Sequence, residues 1–171
     1  MCSQAVSSPA AQPHATAAGA RLERDVLSLS GVSALIWLEG INDFSRNGNA
    51  SLDTVQAGMR DVVGRLRARI PGVRIIGATV TTALNATNAA HGFREQDDKR
   101  RALNGFIKTS GLFDAVVDFD AVTLDPSTGE MKPEFVPEST TGGPGDKLHP
   151  NRAGYLAMGE AIDLGIFGVG Q

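Results

Sequence analysis

Ser33-Ala34-Leu35-Ile36-Trp37-Leu38-Glu39-Gly40-Ile41-Asn42-Asp43 opens as an unbroken apolar run of strand length and closes on a glycine and an Asn-Asp pair. A strand with one wet face alternates polar and apolar residues. This one does not, so it reads as a strand inside a parallel sheet with helices over both faces. Toward the N-terminus, Leu22, Val26, Leu27 and Leu29 mark a short amphipathic helix that stops near Gly31. In the other direction, Ser51-Leu52-Asp53 caps a helix in which Leu52, Val55, Met59, Val62, Val63, Leu66 and Ile70 recur at three- and four-residue steps, and Pro71-Gly72 ends it. Arg65, Arg67 and Arg69 fall on its outer face, where they read as solvated surface.

The alternation continues. Val73 to Val80 is a second strand, followed by a polar loop through His91 and a helix from about Arg94 that turns Leu103, Phe106 and Ile107 inward. Asp114 to Phe119 is a third strand. A long Pro/Gly/Ser/Thr loop then runs from Asp125 to Pro150, and Asn151 opens a last helix through Tyr155, Leu156, Met158 and Ile162. Strand-helix units in strict alternation predict an α/β fold with a parallel sheet.

With 171 residues, 42% of them hydrophobic and 20% charged, the chain fits one globular domain, read here as residues 19–171 behind a polar tail or linker over residues 1–18. A net charge of -3 with interspersed signs gives no basic patch, which argues against a nucleic-acid partner and for a small neutral substrate. Cys2 is the single cysteine, so no intramolecular disulfide and no cysteine-based zinc cluster can form, and no metal or other cofactor is expected. The Ala/Ser/Pro-rich start lacks the basic and apolar regions of a signal peptide, and no segment is apolar for long enough to span a bilayer. The expectation is no membrane association and, by default, a cytoplasmic location.

Two places carry chemistry, each at a strand-to-helix boundary where open α/β sheets place their ligands. The first is Leu38-Glu39-Gly40-Ile41-Asn42-Asp43. Gly40 permits a tight turn, and the Asn42 amide is a donor that can face a developing oxyanion. Asn-Asp after a strand is also a common turn device without chemical duty. The second is Gly145-Asp146-Lys147-Leu148-His149-Pro150-Asn151, where a carboxylate three residues ahead of a histidine can hold Nδ1-H and leave Nε2 as a general base. Asp and His sharing a surface loop is the plainer alternative.

Taken together, Gly40-x-Asn42-Asp43 after a strand and Asp146-x-x-His149-Pro150 before the last helix resemble two signature blocks of the SGNH/GDSL hydrolases. Arg24-Asp25-Val26-Leu27, Arg101-Ala102-Leu103-Asn104, Phe113 to Asp120 and His149 to Tyr155 look like bacterial GDSL-like acylhydrolases, so that the likeness covers roughly residues 20 to 167. It implies a three-layer α/β/α flavodoxin-like fold and carboxylic ester hydrolysis. In that reading Asn42 donates to the oxyanion, Gly40 lines the same turn, Asp146 orients the imidazole, His149 is the general base and Asp43 braces the turn.

The family also has a Gly-Asp-Ser block that supplies the nucleophile after its first strand, and a later glycine that completes the oxyanion hole. No Gly-Asp-Ser stands ahead of Gly40, and residues 1–18 are too short and polar for two strands and a crossover. The resemblance therefore implies a sheet, 2-1-3-4-5 in the family, that lacks its first two strands. The Trp37 strand becomes an apolar edge, expected to pair with the same strand of a second copy through Leu35, Ile36 and Trp37. Nucleophile candidates in the tail are Cys2, Ser3, Ser7 and Ser8, each by default an unstructured surface residue. His14 and His91 read as solvent-exposed, although His91 with Gly92 can border a pocket. Three functions remain open: an ester hydrolase using water or a tail nucleophile, a binding or assembly domain that has lost the nucleophile, and a fragment that needs a partner chain.

Overall fold

The computed structural model describes residues 18–167. The deciding run forms β1 (Ala34–Trp37), which pairs in parallel with β2 (Arg74–Ala78), and β2 pairs in parallel with β3 (Ala115–Val117), in the order β1-β2-β3. Ile36 lies beside Ile76, and Ile76 beside Ala115. Successive strand residues point to opposite faces. Leu35, Trp37 and Ile75 thus pack under α1 (Ala18–Leu22), α2 (Leu52–Arg69) and α3 (Arg94–Thr109). Ala34, Ile36, Ile76, Ala78 and Val117 pack under α4 (Phe119–Thr123) and α5 (Arg152–Glu160). The result is three layers, as the unbroken apolar run requires. Among the described residues β1 has no neighbour beyond it, and Ala34, Leu35 and Ile36 are only half-buried.

Caps set most boundaries. Ser51 accepts a hydrogen bond from Thr54 N at the start of α2, whose Val55, Met59, Val62, Val63 and Leu66 are buried, and Asn151 accepts one from Gly154 N at the start of α5. Asp118 does the same for Ala121 N, so the third strand stops at Val117 and Phe119 begins α4 instead of ending the strand as its apolar pattern suggested. Helix α1 passes into a π-helical turn over Glu23–Leu27. This turn closes with Ser28 N donating to Glu23 O, so Leu29 falls outside it and is 57% exposed, not part of the apolar stripe. On α5 Gly154 and Met158 are buried, while Tyr155 and Leu156 are 39% and 60% exposed. Tyr155 and Met158 share a helical face, whereas Leu156 is about 100° away from Tyr155 and cannot join it. The helix ends at Glu160, so Ile162, expected within it, lies beyond its end.

The inner face of α3 is more polar than its pattern suggested. Gln96, Asp97, Arg100 and Asn104 are buried beside Leu103 and Ile107. Arg100, with no exposed surface, donates from Nε to Asp97 Oδ1 (2.7 Å) and from Nη1 to Val80 O (3.0 Å), and lies 2.7 Å from Asp120 Oδ1. Asn104 brackets the same residue, accepting from Val80 N (2.7 Å) and donating to Val80 O (2.9 Å). Thr79 N still donates to Val117 O (3.0 Å), and at Val80 the backbone finds its partners in side chains, which fixes it at the end of the sheet that carries the site. The long loop over residues 125–150 is also organised: bridges Leu124–Met131 and Ser139–Asn151 tie it down, and Met131 and Leu148 are buried.

Candidate active site

The turn after β1 is held down by contact with α3. Gly40 has φ +132°, and a Cβ there would lie 2.8 Å from Leu103 Cδ2, so only glycine lets the turn come this close. Asp43 N donates to Gly40 O (3.2 Å), Ser45 donates from N and Oγ to Asn42 O (3.2 and 2.7 Å), and Ala50 N donates to Asp43 O (2.9 Å). Asp43 has no exposed surface, the position of a brace and not of a reacting group.

The second half of the site is a turn of four residues. Asp146 Oδ1 accepts from Leu148 N (3.0 Å) and His149 N (2.9 Å), and Oδ2 lies 2.7 Å from His149 Nδ1. Burial alone would raise the Asp146 pKa, but the hydrogen bonds from His149 and Leu148 outweigh it and hold the carboxyl below the usual aspartate value. An ionised carboxylate can only accept, so Nδ1 carries a proton toward it, and in the neutral ring the lone pair is then on Nε2. Gly145, at φ +76°, precedes the pair where a Cβ would collide with the Val136 carbonyl. Pro150 and the Asn151 cap then send the chain into α5.

Asn42 and His149, more than a hundred residues apart in sequence, line one pocket of about 70 Å³. Leu38, Ile41, Val80, Leu148 and Met158 contribute apolar wall, and Thr81 and Tyr155 contribute hydroxyl groups. Gly40 lies beneath the turn, against Leu103. Thr81 and Tyr155 escaped the sequence reading because a threonine after a strand and a tyrosine in a helix carry no pattern of their own. A Gly-x-Ser sequence, Gly31-Val32-Ser33, does precede β1, but it enters the strand at the end of the sheet away from Asn42. The tail candidates Cys2, Ser3, Ser7 and Ser8, and His14, lie outside the described residues.

His91, read as exposed, is half-buried. Burial and the nearby His149 push its pKa below the ordinary histidine value, with Asp146 opposing. Its loop joins the two halves of the site: Arg46 N donates to Ala90 O (2.9 Å) and Thr87 N to Asp146 O (3.0 Å). Among the described residues there is no group of three or more His, Cys, Asp or Glu side chains able to hold a metal ion, and no helix is long and apolar enough to cross a membrane.

The sequence model of the GDSL-like lipase/acylhydrolase family matches residues 3–157. The chain belongs to this family. Solved structures share its fold. A candidate acylhydrolase from Bacteroides fragilis superposes with a TM-score of 0.70 at 22% identity, covering 86% of this chain and 67% of its own. A GDSL-like lipase from Bacteroides thetaiotaomicron gives 0.69 at 18% identity, covering 85% and 67%. A catalytic mutant, serine to alanine, of an acetylxylan esterase from Geobacillus stearothermophilus gives 0.56 at 22% identity, covering 88% and 66%. The GDSL-like chain thus spans about two thirds of the length of each. The comparison with curated proteins returns no match.

Proposed function

We propose that this GDSL-family chain hydrolyses carboxylic esters of small neutral substrates, with His149 as general base, Asp146 as its orienting partner and Asn42 as oxyanion donor. The observation that carries the reading is the shared pocket, which Asn42 and His149 both line while Asp146 Oδ2 lies 2.7 Å from His149 Nδ1. His149 Nε2 takes the proton from the attacking O-H as the new C-O bond forms. The carbonyl electron pair moves onto oxygen, where the Asn42 amide donates to it. Collapse of the tetrahedral species breaks the ester C-O bond, and the same proton passes from His149 to the departing alcohol. An apolar volume of about 70 Å³ suits a short acyl group.

The attacking group is water or a side chain from residues 1–17, where Ser3, Ser7, Ser8 and Cys2 stand. A side chain keeps the acyl group until water, deprotonated by His149, attacks the acyl carbon and releases the acid, the proton returning to the side chain. The serine-to-alanine catalytic mutant of the acetylxylan esterase favours a serine by analogy. Hydrolysis of p-nitrophenyl acetate by wild type and Asn42→Ala, each with and without a serine-directed covalent inhibitor, tests this. Inhibitor-sensitive turnover identifies a serine, and insensitive turnover that falls in Asn42→Ala identifies water if Cys2→Ala keeps it and Cys2 if Cys2→Ala loses it. No turnover by the wild type rejects the hydrolase reading in favour of a binding or assembly domain, or of a piece that needs a partner chain.

The half-buried edge β1 favours a further proposal: Leu35, Ile36 and Trp37 form the pairing strand of a homodimer, joined across a two-fold axis. The strand lacks the lysines, prolines and bulges that guard sheet edges. Light scattering at micromolar concentration is expected to give twice the chain mass, and a monomer mass would contradict the pairing.

A further inference from the structure

Gln96 lies in the first turn of α3 with 1% of its surface exposed and makes contacts in three directions. Oε1 accepts from Gly92 N (2.9 Å), while Nε2 donates to Ile41 O (3.1 Å) and lies 2.7 Å from His91 Nδ1. The first contact alone is an ordinary helix-start device, a side chain reaching back to an unpaired backbone N-H. The other two lead to the site. Ile41 is the residue before Asn42, and His91 belongs to the loop that receives Arg46 N at Ala90 and offers Thr87 N to Asp146.

These contacts fix atoms as well as positions. Gly92 N can only donate and Ile41 O can only accept, so the amide cannot be flipped without setting donor against donor and acceptor against acceptor. Nε2 therefore donates to His91 Nδ1, which must be unprotonated. His91 is the Nε2-H tautomer, the opposite of His149, whose Nδ1 carries its proton toward Asp146. The charged groups acting on His91 agree with a neutral ring: His149 disfavours its protonation, Asp146 favours it more weakly, and burial is the largest influence against it.

We propose that Gln96 and His91 are positioning residues, a clamp that sets the Asn42 turn against the Asp146–His149 turn and that closes only on the Nε2-H form of His91. The claim rests on the proposed hydrolysis for its effect on rate, but the tautomer is independent of it. Substituting Gln96→Glu separates a clamp from a mere helix cap. Glutamate still accepts from Gly92 N, but it cannot donate to Ile41 O, and it attracts a proton to His91 Nδ1.

The test uses the full chain labelled with 15N, whose three histidines are assigned with His91→Asn and His149→Ala. Long-range 1H-15N correlation near pH 8 is expected to show His91 with a bare Nδ1 in wild type and with a protonated Nδ1 in Gln96→Glu. In ester hydrolysis, Gln96→Glu is expected to lower kcat by roughly tenfold with KM little changed, and His91→Asn, whose Oδ1 can stand where Nδ1 was, is expected to keep more of kcat than His91→Leu. A protonated Nδ1 on His91 in the wild type, or an unchanged kcat in Gln96→Glu, overturns the clamp. Equal rates in wild type and His149→Ala instead overturn the hydrolase reading, and the tautomer alone then decides the clamp.

Discussion

Asp146 and His149 make their defining contacts within one four-residue turn, whereas Asn42 is placed by residues far away in sequence: Leu103 packs against Gly40, and Gln96 holds the Ile41 carbonyl. The Asp146–His149 half of the site is thus locally encoded, and the Asn42 half is a product of tertiary packing. A local turn keeps its geometry whenever its own residues are present, so damage to the core should separate the two halves. Substitutions in or under α3 should disturb Asn42 before they disturb the dyad.

The largest effect is expected where packing is most polar. Replacing Arg100 by alanine takes the buried cation from Asp97 and Asp120, leaving Asp97 only the exposed Arg101 and Val80 only Asn104, and should cost about 3–5 kcal/mol in chemical denaturation. Asn42→Ala, measured on folded protein, should reduce kcat roughly 10²- to 10³-fold, the effect expected of a donor to the oxyanion. Gly40→Val places a branched side chain at φ +132° against Leu103 and should cost about 1–3 kcal/mol. Its kcat should fall further than stability explains, because the Asn42 turn must lift. Asn151→Ala removes the α5 cap on the dyad side and should cost about 1 kcal/mol, with the His149–Asp146 contact kept.

The smallest effect concerns pH. The folded pKa of His91 is depressed below 6.5, so the unfolded chain takes up the proton first on acidification. Its contribution to stability is complete above 6.5 and is lost as pH falls from 6.5 through the folded pKa. Asp146, held below 3.8, gives up its own contribution only at lower pH. Urea midpoints measured from pH 7 to pH 5 should therefore fall less steeply in His91→Asn than in the wild type.

The same contrast explains what could be read before the fold was known. Asp-x-x-His and Gly-x-Asn-Asp are short patterns at strand and helix boundaries, so both halves of the site were visible as motifs, and the unbroken Ala34–Leu38 run announced the covered sheet. Arg94 to Arg101 contains almost nothing apolar and reads as a wholly solvated helix start. Gln96 and Arg100 are buried because carbonyls from Ile41 and Val80 meet them, and a pattern along one helix carries no information about those partners. His91 was misjudged for the same reason: its burial comes from α3 and the dyad loop, not from its own polar surroundings in the chain.

The most direct test of the account is kcat/KM for p-nitrophenyl acetate in the wild type and in His149→Ala, measured side by side on folded protein. The account predicts hydrolysis by the wild type above background and a fall of roughly 10²- to 10⁴-fold on losing the imidazole. Equal rates in the two proteins would contradict it.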